Sequence, residues 1–108
     1  MLKKINRISK EKEFKEILKK GKINHSPAFA IKWLKGEGEK QFGVVVSKKI
    51  SNRAVDRNKV RRRIMEAVYR NWQGFPEGIK IVFLVKKNIL EKKTDALEKD
   101  IAGIIKIL

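Results

Sequence analysis

The sequence contains no cysteine, which excludes disulfides, thiolate metal sites and a cysteine nucleophile and suits a reducing compartment. A single histidine, His25, stands before Ser26 and Pro27, where it reads as a turn residue. One imidazole supports neither a zinc centre nor a Ser/His/Asp triad. No glycine-rich loop carries a phosphate-binding lysine. Glu11, Glu13 and Glu16 are interspersed with lysines, a pattern of side-chain pairing along a helix and not of paired catalytic carboxylates. No catalytic residue and no metal site are therefore expected on the protein. Apolar runs never approach the roughly 20 residues of a membrane span, and the first twelve residues are too polar for a signal peptide. A cytoplasmic protein with no membrane partner is expected. The only prolines, Pro27 and Pro76, fall in predicted turns, and there is no repeat, low-complexity tract or linker. Residues 1–108 are read as one domain.

Acidic residues are the most telling shortage. Against 28 Lys and Arg there are 12 Asp and Glu, a formal charge of +16. Solubility does not require so large an excess, and a polyanion relieves the self-repulsion it creates. Nucleic acid ranks ahead of an anionic membrane or an acidic protein.

Apolar periodicity outlines the fold. Residues 9–20 read as a helix capped by Ser9, with Phe14, Ile17 and Leu18 at i, i+3, i+4 and Gly21 as a left-handed stop. Residues 28–35 alternate as a strand, with Phe29, Ile31 and Trp33 on one face, and residues 36–39 have hairpin-turn chemistry. In the next strand, 41–47, the run Val44-Val45-Val46 predicts burial on both faces and a central position. Residues 56–72 carry Val60, Ile64, Ala67 and Val68 at helical spacing, with Tyr69 and Trp72 completing the packing. Residues 79–85 form the strongest strand, and Thr94 or Asp95 caps a last helix with Leu97, Ile101, Ile104, Ile105 and Leu108 in one stripe. The fold class is α+β: a small mixed sheet with helices packed on it. The order is helix, strand, strand, a possible short strand, helix, strand, helix. The strand-helix-strand unit implies a parallel pair, right-handed by the general rule.

Function concentrates in residues 47–63, where eight cations stand among seventeen positions. On a helical projection Arg57 falls inside the apolar face and must emerge at its rim with a partner. Arg61 and Arg62 lie on one flank, Lys59 and Arg63 toward the other. Guanidinium forks suit phosphate oxygens, the helix start adds backbone donors, and Asn58 is placed to read a base edge or ribose hydroxyl. A solvated basic face is the plain alternative, but Asp56 and Glu66 are the helix's only acids.

The run Phe42-Gly43-Val44-Val45-Val46-Ser47-Lys48-Lys49-Ile50, followed by Ala54-Val55 and Arg57-Asn58-Lys59-Val60-Arg61-Arg62, resembles the signature of the bacterial ribonuclease P protein. Likeness extends to the Leu2-Lys3-Lys4 and Asn6-Arg7 opening, the Glu13-Phe14 helix ending at Gly21, and Ile81-Val82-Phe83. The resemblance implies a left-handed crossover, contrary to the general rule. It also implies a protein subunit of an endoribonuclease, in which a catalytic RNA cleaves precursor tRNA to make its mature 5′ end. The chemistry and most of the magnesium would belong to the RNA. Partners would be that RNA and the 5′ leader of precursor tRNA, with a monomer expected and other protein partners unassigned.

By the same resemblance, Arg57, Asn58, Arg61 and Arg62 contact the catalytic RNA, with Lys48, Lys49 and Asn52 beside them and Arg53, Lys59 and Arg63 added. The leader cleft would draw on Phe14, Leu18, Lys32, Trp33 and Met65. Leu18, Lys32 and Met65 stand where the family pattern more often has aromatic or basic groups, and Phe14, Ile17 and Leu18 read equally as a core stripe. Lys59 replaces the usual second arginine of the motif, and one extra residue lies between Lys49 and Arg57. A structural ribosomal or chaperone-like RNA binder is the alternative function. A basic DNA-binding domain ranks last, since no zipper or zinc module organises half-sites.

Overall fold

The computed structural model describes residues 4–108; Leu2 and Lys3 of the signature opening lie outside the described residues. Three α-helices, α1 (Glu11–Lys20), α2 (Ala54–Arg70) and α3 (Thr94–Ile105), combine with four strands, β1 (Lys22–His25), β2 (Phe29–Lys35), β3 (Gln41–Val45) and β4 (Ile79–Val85). The sheet order is β1-β2-β4-β3. β4 is antiparallel to β2 and parallel to β3, so α2 is the crossover of a parallel pair. This is the expected α+β architecture. The short extra strand, however, is β1, which precedes the long strands and pairs with β2, and does not lie between β3 and α2.

β4 occupies the centre because both its faces are apolar. Ile79, Ile81 and Phe83 join Phe29, Ile31, Trp33 and Phe42 under Val60, Ile64, Ala67 and Val68 of α2 and Leu97, Ile101 and Ile104 of α3. Val82 on the opposite face meets Ile8 and Ile17, with Phe14, Leu18, Leu34 and Leu84 around them. The expectation that β3 is central is corrected. β3 is an edge strand: Val45 is 38% exposed, and Val46 has left the strand to pack in the main core. Three successive valines signal burial on both faces only if all three belong to the strand. The chain protects part of this edge itself, through a bridge between Arg7 and Phe42 and a hydrogen bond from Ile8 N–H to the Phe42 carbonyl (2.9 Å), which leaves less backbone for another strand to pair with.

Helix ends follow tertiary contacts more than local caps. Ser9 does not cap α1; the N-cap is Lys10, with no side-chain bond. Gly21 is not a left-handed stop either, since its φ of −68° is extended. Its need for glycine is spatial: an added Cβ would stand 2.4 Å from the Ile17 carbonyl oxygen, so the bare backbone lets α1 turn directly into β1. α3 starts after Lys93 without a Thr94 or Asp95 side-chain cap. α2 begins two residues earlier than its apolar periodicity suggests and ends at Arg70, where Asn71 N–H and Nδ2 both bond the Ala67 carbonyl. Trp72 follows in a 3-10 turn and packs on Phe42, ring centroids 5.6 Å apart. Tyr69, expected to complete that packing, is 57% exposed.

The bottom of the sheet is held by two buried polar groups. Lys40 donates its ammonium to the Trp72 carbonyl (2.9 Å) and lies 3.7 Å from Glu77, while Asn6 Nδ2 donates to the Lys40 carbonyl (2.8 Å). Nearby, Gly78 has φ of +73°, and a Cβ there would lie 2.0 Å from the Gly36 oxygen. Gly78→Ala therefore combines a left-handed backbone with a backbone clash, and should cost on the order of 3 kcal/mol. Urea unfolding checks this: the midpoint should fall while the slope with denaturant stays constant.

Candidate nucleic-acid interface

β3 delivers the chain to the end of the sheet opposite Lys40, and residues 46–53 return it to the start of α2. Two apolar residues, Val46 and Ile50, are buried in the main core. Ile50 N–H bonds the Ser47 carbonyl (3.0 Å), closing a turn. With both ends of this turn pinned, Lys48 and Lys49 project into solvent.

Ser51 joins the loop to the helix. Its hydroxyl donates to Asp56 Oδ2 (2.9 Å) and accepts from Arg53 N–H (3.2 Å), and its carbonyl accepts from Arg57 Nη1 (2.9 Å). Arg57 is thus half-buried at the rim with a partner, as its place on the helix projection requires. The α2 N-cap, Arg53, makes no side-chain capping bond, so the first-turn amides remain available to an external acceptor. Asp56 is the acid of this turn; it engages Ser51 and lies 4.0 Å from Arg53.

Around this frame Lys48, Lys49, Asn52, Arg53, Asn58, Lys59 and Arg62 are exposed. Arg61 is half-buried and donates to Asn58 Oδ1 (3.0 Å), an i to i+3 contact that orients both polar heads on one flank. Among the described residues, Lys48, Lys49, Lys59, Arg61 and Arg62 have no carboxylate within 4.0 Å. Positive charge gathered without neutralisation attracts phosphates over a distance set by ionic strength.

Arg63 departs from this group. Its guanidinium donates to the Ile89 carbonyl (3.2 Å) and to the Lys92 carbonyl, tying α2 to the 3-10 turn Lys87–Glu91 that leads into α3. These bonds serve the fold. A comparable link occurs further along, where Arg70 and Glu98 pair at 2.6 Å; that hydrogen bond and the opposite charge raise the Arg70 pKa.

The five candidate leader residues divide between the two sides of the sheet. Phe14, Leu18 and Lys32 come together on the α1 side, where Lys32 Nζ donates to the Leu18 carbonyl (2.5 Å). Absence of a side chain at Gly43 leaves room for the Phe14 ring. Trp33 is 7% exposed on the opposite face, in the main core, with Nε1 bonded to Asn24 Oδ1 (2.7 Å), and Met65 packs against that same core. The placement of Trp33 follows from the alternation that also buries Phe29 and Ile31.

α1 is too short to roof its side of the sheet. Ile23, opposite Lys32, is 50% exposed; Val45, opposite Leu84, is also open, and Leu84 is half-buried. An apolar strip thus runs beside Phe14 and Leu18. Sequence reasoning missed Ile23, Val45 and Leu84, although the alternation in β4 carries the signal: Ile81 and Phe83 face one way, Val82 and Leu84 the other. Among the described residues no three His, Cys, Asp or Glu side chains converge as metal ligands. No described helix is long and apolar enough to cross a membrane.

The family model described as Ribonuclease P matches residues 2–108. The ribonuclease P protein component of Brevibacillus brevis is 32% identical over 103 residues, covering 94% of this chain and 81% of that protein. The corresponding protein of Bacillus mycoides is 33% identical over 107 residues, covering 97% and 92%. Among solved structures, the Staphylococcus aureus RNase P protein superposes with a TM-score of 0.82 at 25% identity, covering 94% of each chain. The Thermotoga maritima RNase P protein has the same fold, with a TM-score of 0.84 at 24% identity and coverage of 94% and 96%.

The contrast between neighbouring arginines is measurable in the free protein. Arg63→Ala leaves two carbonyls without their donor and should cost about 1–3 kcal/mol. Arg62→Ala, at an exposed position, should stay within about 0.5 kcal/mol of the parent. Paired urea titrations test the difference, and equal losses would contradict the assignment of Arg63 to the fold.

Proposed function

The chain belongs to the ribonuclease P protein family, the protein component of an endoribonuclease of tRNA processing, and from that premise we propose that it binds the catalytic RNA through the start of α2 and the 5′ leader of precursor tRNA along the α1 side of the sheet. The observation carrying the first half is the set of unneutralised cations around a helix start held rigid by Ser51, Asp56 and Arg57. Arg61 and Arg62 offer planar forks to phosphate oxygens, Lys48, Lys49, Arg53 and Lys59 add charge, and Asn52 and Asn58 supply shorter polar heads. Lys59 keeps the charge of the arginine usual at its place but acts as a compact point donor. Arg57 spends one guanidinium nitrogen on the Ser51 carbonyl and presents its remaining donors from a fixed position.

The second half rests on the apolar strip of Ile23, Val45 and Leu84 beside Phe14 and Leu18. A single strand can lay its bases against such a surface, with stacking on Phe14, because every base has an apolar face. Lys32 belongs to this side, although its ammonium is occupied by the Leu18 carbonyl. Trp33 and Met65 act beneath the sheet as support. Bond cleavage falls to the RNA, together with the magnesium it holds; the protein positions substrate and reduces repulsion between two RNA molecules. It works in the cytoplasm, as a monomer within the ribonucleoprotein.

Reconstitution with a bacterial ribonuclease P RNA tests this reading. At low magnesium and moderate salt the protein should accelerate cleavage of precursor tRNA, and an unchanged rate would count against it. Arg61→Ala and Arg62→Ala should each lower the slope of log affinity for the catalytic RNA against log salt by roughly 0.7–0.9, the contribution of one phosphate contact. An unaltered slope for both would place the contact surface elsewhere.

A further inference from the structure

A second group of cations lies at the corner of the sheet diagonally opposite the start of α2. β2 runs antiparallel to β4, with Lys35 opposite Ile79, whereas β3 runs parallel to β4 and ends with Val45 opposite Leu84. The loop carrying Lys48 and Lys49 therefore leaves one end of the sheet at the β3 edge, and Lys35 and Lys22 stand at the other end toward the β1 edge. At roughly 3.3 Å per residue along a strand and about 4.8 Å between strands, Lys22 and Lys35 are about 17–19 Å from Val45, where the loop leaves the sheet.

Lys20, Lys22 and Lys35 surround a cavity of about 190 Å³ whose remaining walls are Trp33 and Leu34. Lys22 is opposite Trp33, and Lys35 follows it by two residues, so these two flank the indole on one face. The Lys22 ammonium lies 5.3 Å from the indole centroid. Gly21 fixes Lys20 beside them, because its backbone N–H bonds the Ile17 carbonyl (2.8 Å) and an added Cβ there would stand 3.1 Å from the Trp33 nitrogen.

None of the three has a carboxylate within 4.0 Å among the described residues. Glu37 and Glu39 in the adjoining turn are exposed and make no bridge to them. The dipole at the end of α1 accounts for a cation at Lys20. It does not account for Lys22 and Lys35, which belong to strands, or for their convergence on one recess.

We infer that Lys20, Lys22 and Lys35 form a second phosphodiester-binding site, which grips the backbone of the catalytic RNA at the corner of the sheet diagonally opposite the first contact at α2. The recess accepts one phosphate with its sugar; the ammoniums take the non-bridging oxygens, and the apolar floor of Trp33 and Leu34 supports the ribose. Two contacts at opposite corners fix the orientation of the protein on folded RNA, whereas one patch leaves it free to pivot. The inference rests on RNA binding as proposed above.

Lysine acetylation of the full chain, free and bound to a bacterial ribonuclease P RNA, reads both corners at once. Lys20, Lys22 and Lys35 should become protected together with Lys48 and Lys49. If Lys48 and Lys49 are protected and the other three are not, the second site is overturned while the proposed function stands; if no lysine is protected, both fail. Equal protection by inorganic phosphate alone would make the recess a free-anion site and overturn the assignment to RNA. The triple variant Lys20→Ala, Lys22→Ala, Lys35→Ala should lower the salt slope of RNA binding by roughly 0.7–0.9, the contribution of the one phosphate the recess holds. An unchanged slope with unchanged free-protein stability would also overturn it, and footprinting of the unmodified chain remains decisive if the variant does not fold.

Discussion

α2 grips the sheet only from Val60 onward, and the arrangement of the interface depends on that offset. Its buried residues are Val60, Ile64, Ala67 and Val68, so the turn and a half before Val60 has no apolar residue committed to the core. Val55, in the first turn, is exposed. Cations placed before Val60 can therefore surround the helix without entering a low-dielectric interior, where an unpaired charge is costly. A stripe beginning one turn earlier would have drawn the position of Arg57 inward; as built, Arg57 reaches back to Ser51 and makes the loop and helix one rigid unit.

The same helix links the two parallel strands of the sheet. Because α2 joins parallel strands, it must traverse the length of the sheet and deliver the chain to the opposite end, where Trp72, Phe75 and Lys40 close the core. β4 then returns through the middle, buried on both faces. α1 meets the face that α2 and α3 leave open, and its ten residues cover Val82 without covering Val45 or Ile23. The strip beside α1 is thus a consequence of a short helix on a four-stranded sheet, in the same way that the basic corner follows from a late apolar stripe.

Much of this was legible in the sequence. The strand of residues 79–85, the helical spacing of Val60 to Val68, and the stripe of α3 all follow from periodicities that tertiary packing reinforces. Arg57 at the rim followed from its angular position. What escaped was non-local. β3 reads as central by composition, yet strand order depends on pairing partners distant in sequence, and an edge is tolerable here because Arg7 and Ile8 come back to cover part of it. Ser9, Thr94 and Asp95 have good capping chemistry, but α1 and α3 start without a side-chain cap; α3 begins just past Lys92, whose carbonyl Arg63 holds, and such docking outweighs a cap worth about 1 kcal/mol. Arg62 and Arg63 are adjacent and chemically identical, and only the carbonyls of Ile89 and Lys92 distinguish an exposed cation from a structural one. Trp33 illustrates the converse, since its alternation with Phe29 and Ile31 already argued for the core.

The choice of acceptor for the structural cations has a further consequence. Arg57, Arg63, Lys32 and Lys86 each donate to a backbone carbonyl, of Ser51, Ile89, Leu18 and Ser26 respectively. A carbonyl satisfies the donor through its dipole but cancels no net charge, whereas a carboxylate would satisfy it and remove one unit of the field. A chain with 28 basic and 12 acidic residues can therefore tie down loops and helix ends with cations and still present nearly its full positive potential to a polyanion. Exposed ion pairs such as Lys15 with Glu11 (3.2 Å) add little to stability, so few are needed. Stability and long-range attraction are usually opposed in a strongly basic protein, because self-repulsion weakens the fold. Bonding the cations to main-chain oxygens eases that opposition: each bond holds two segments together at the point where a like-charged surface would otherwise push them apart.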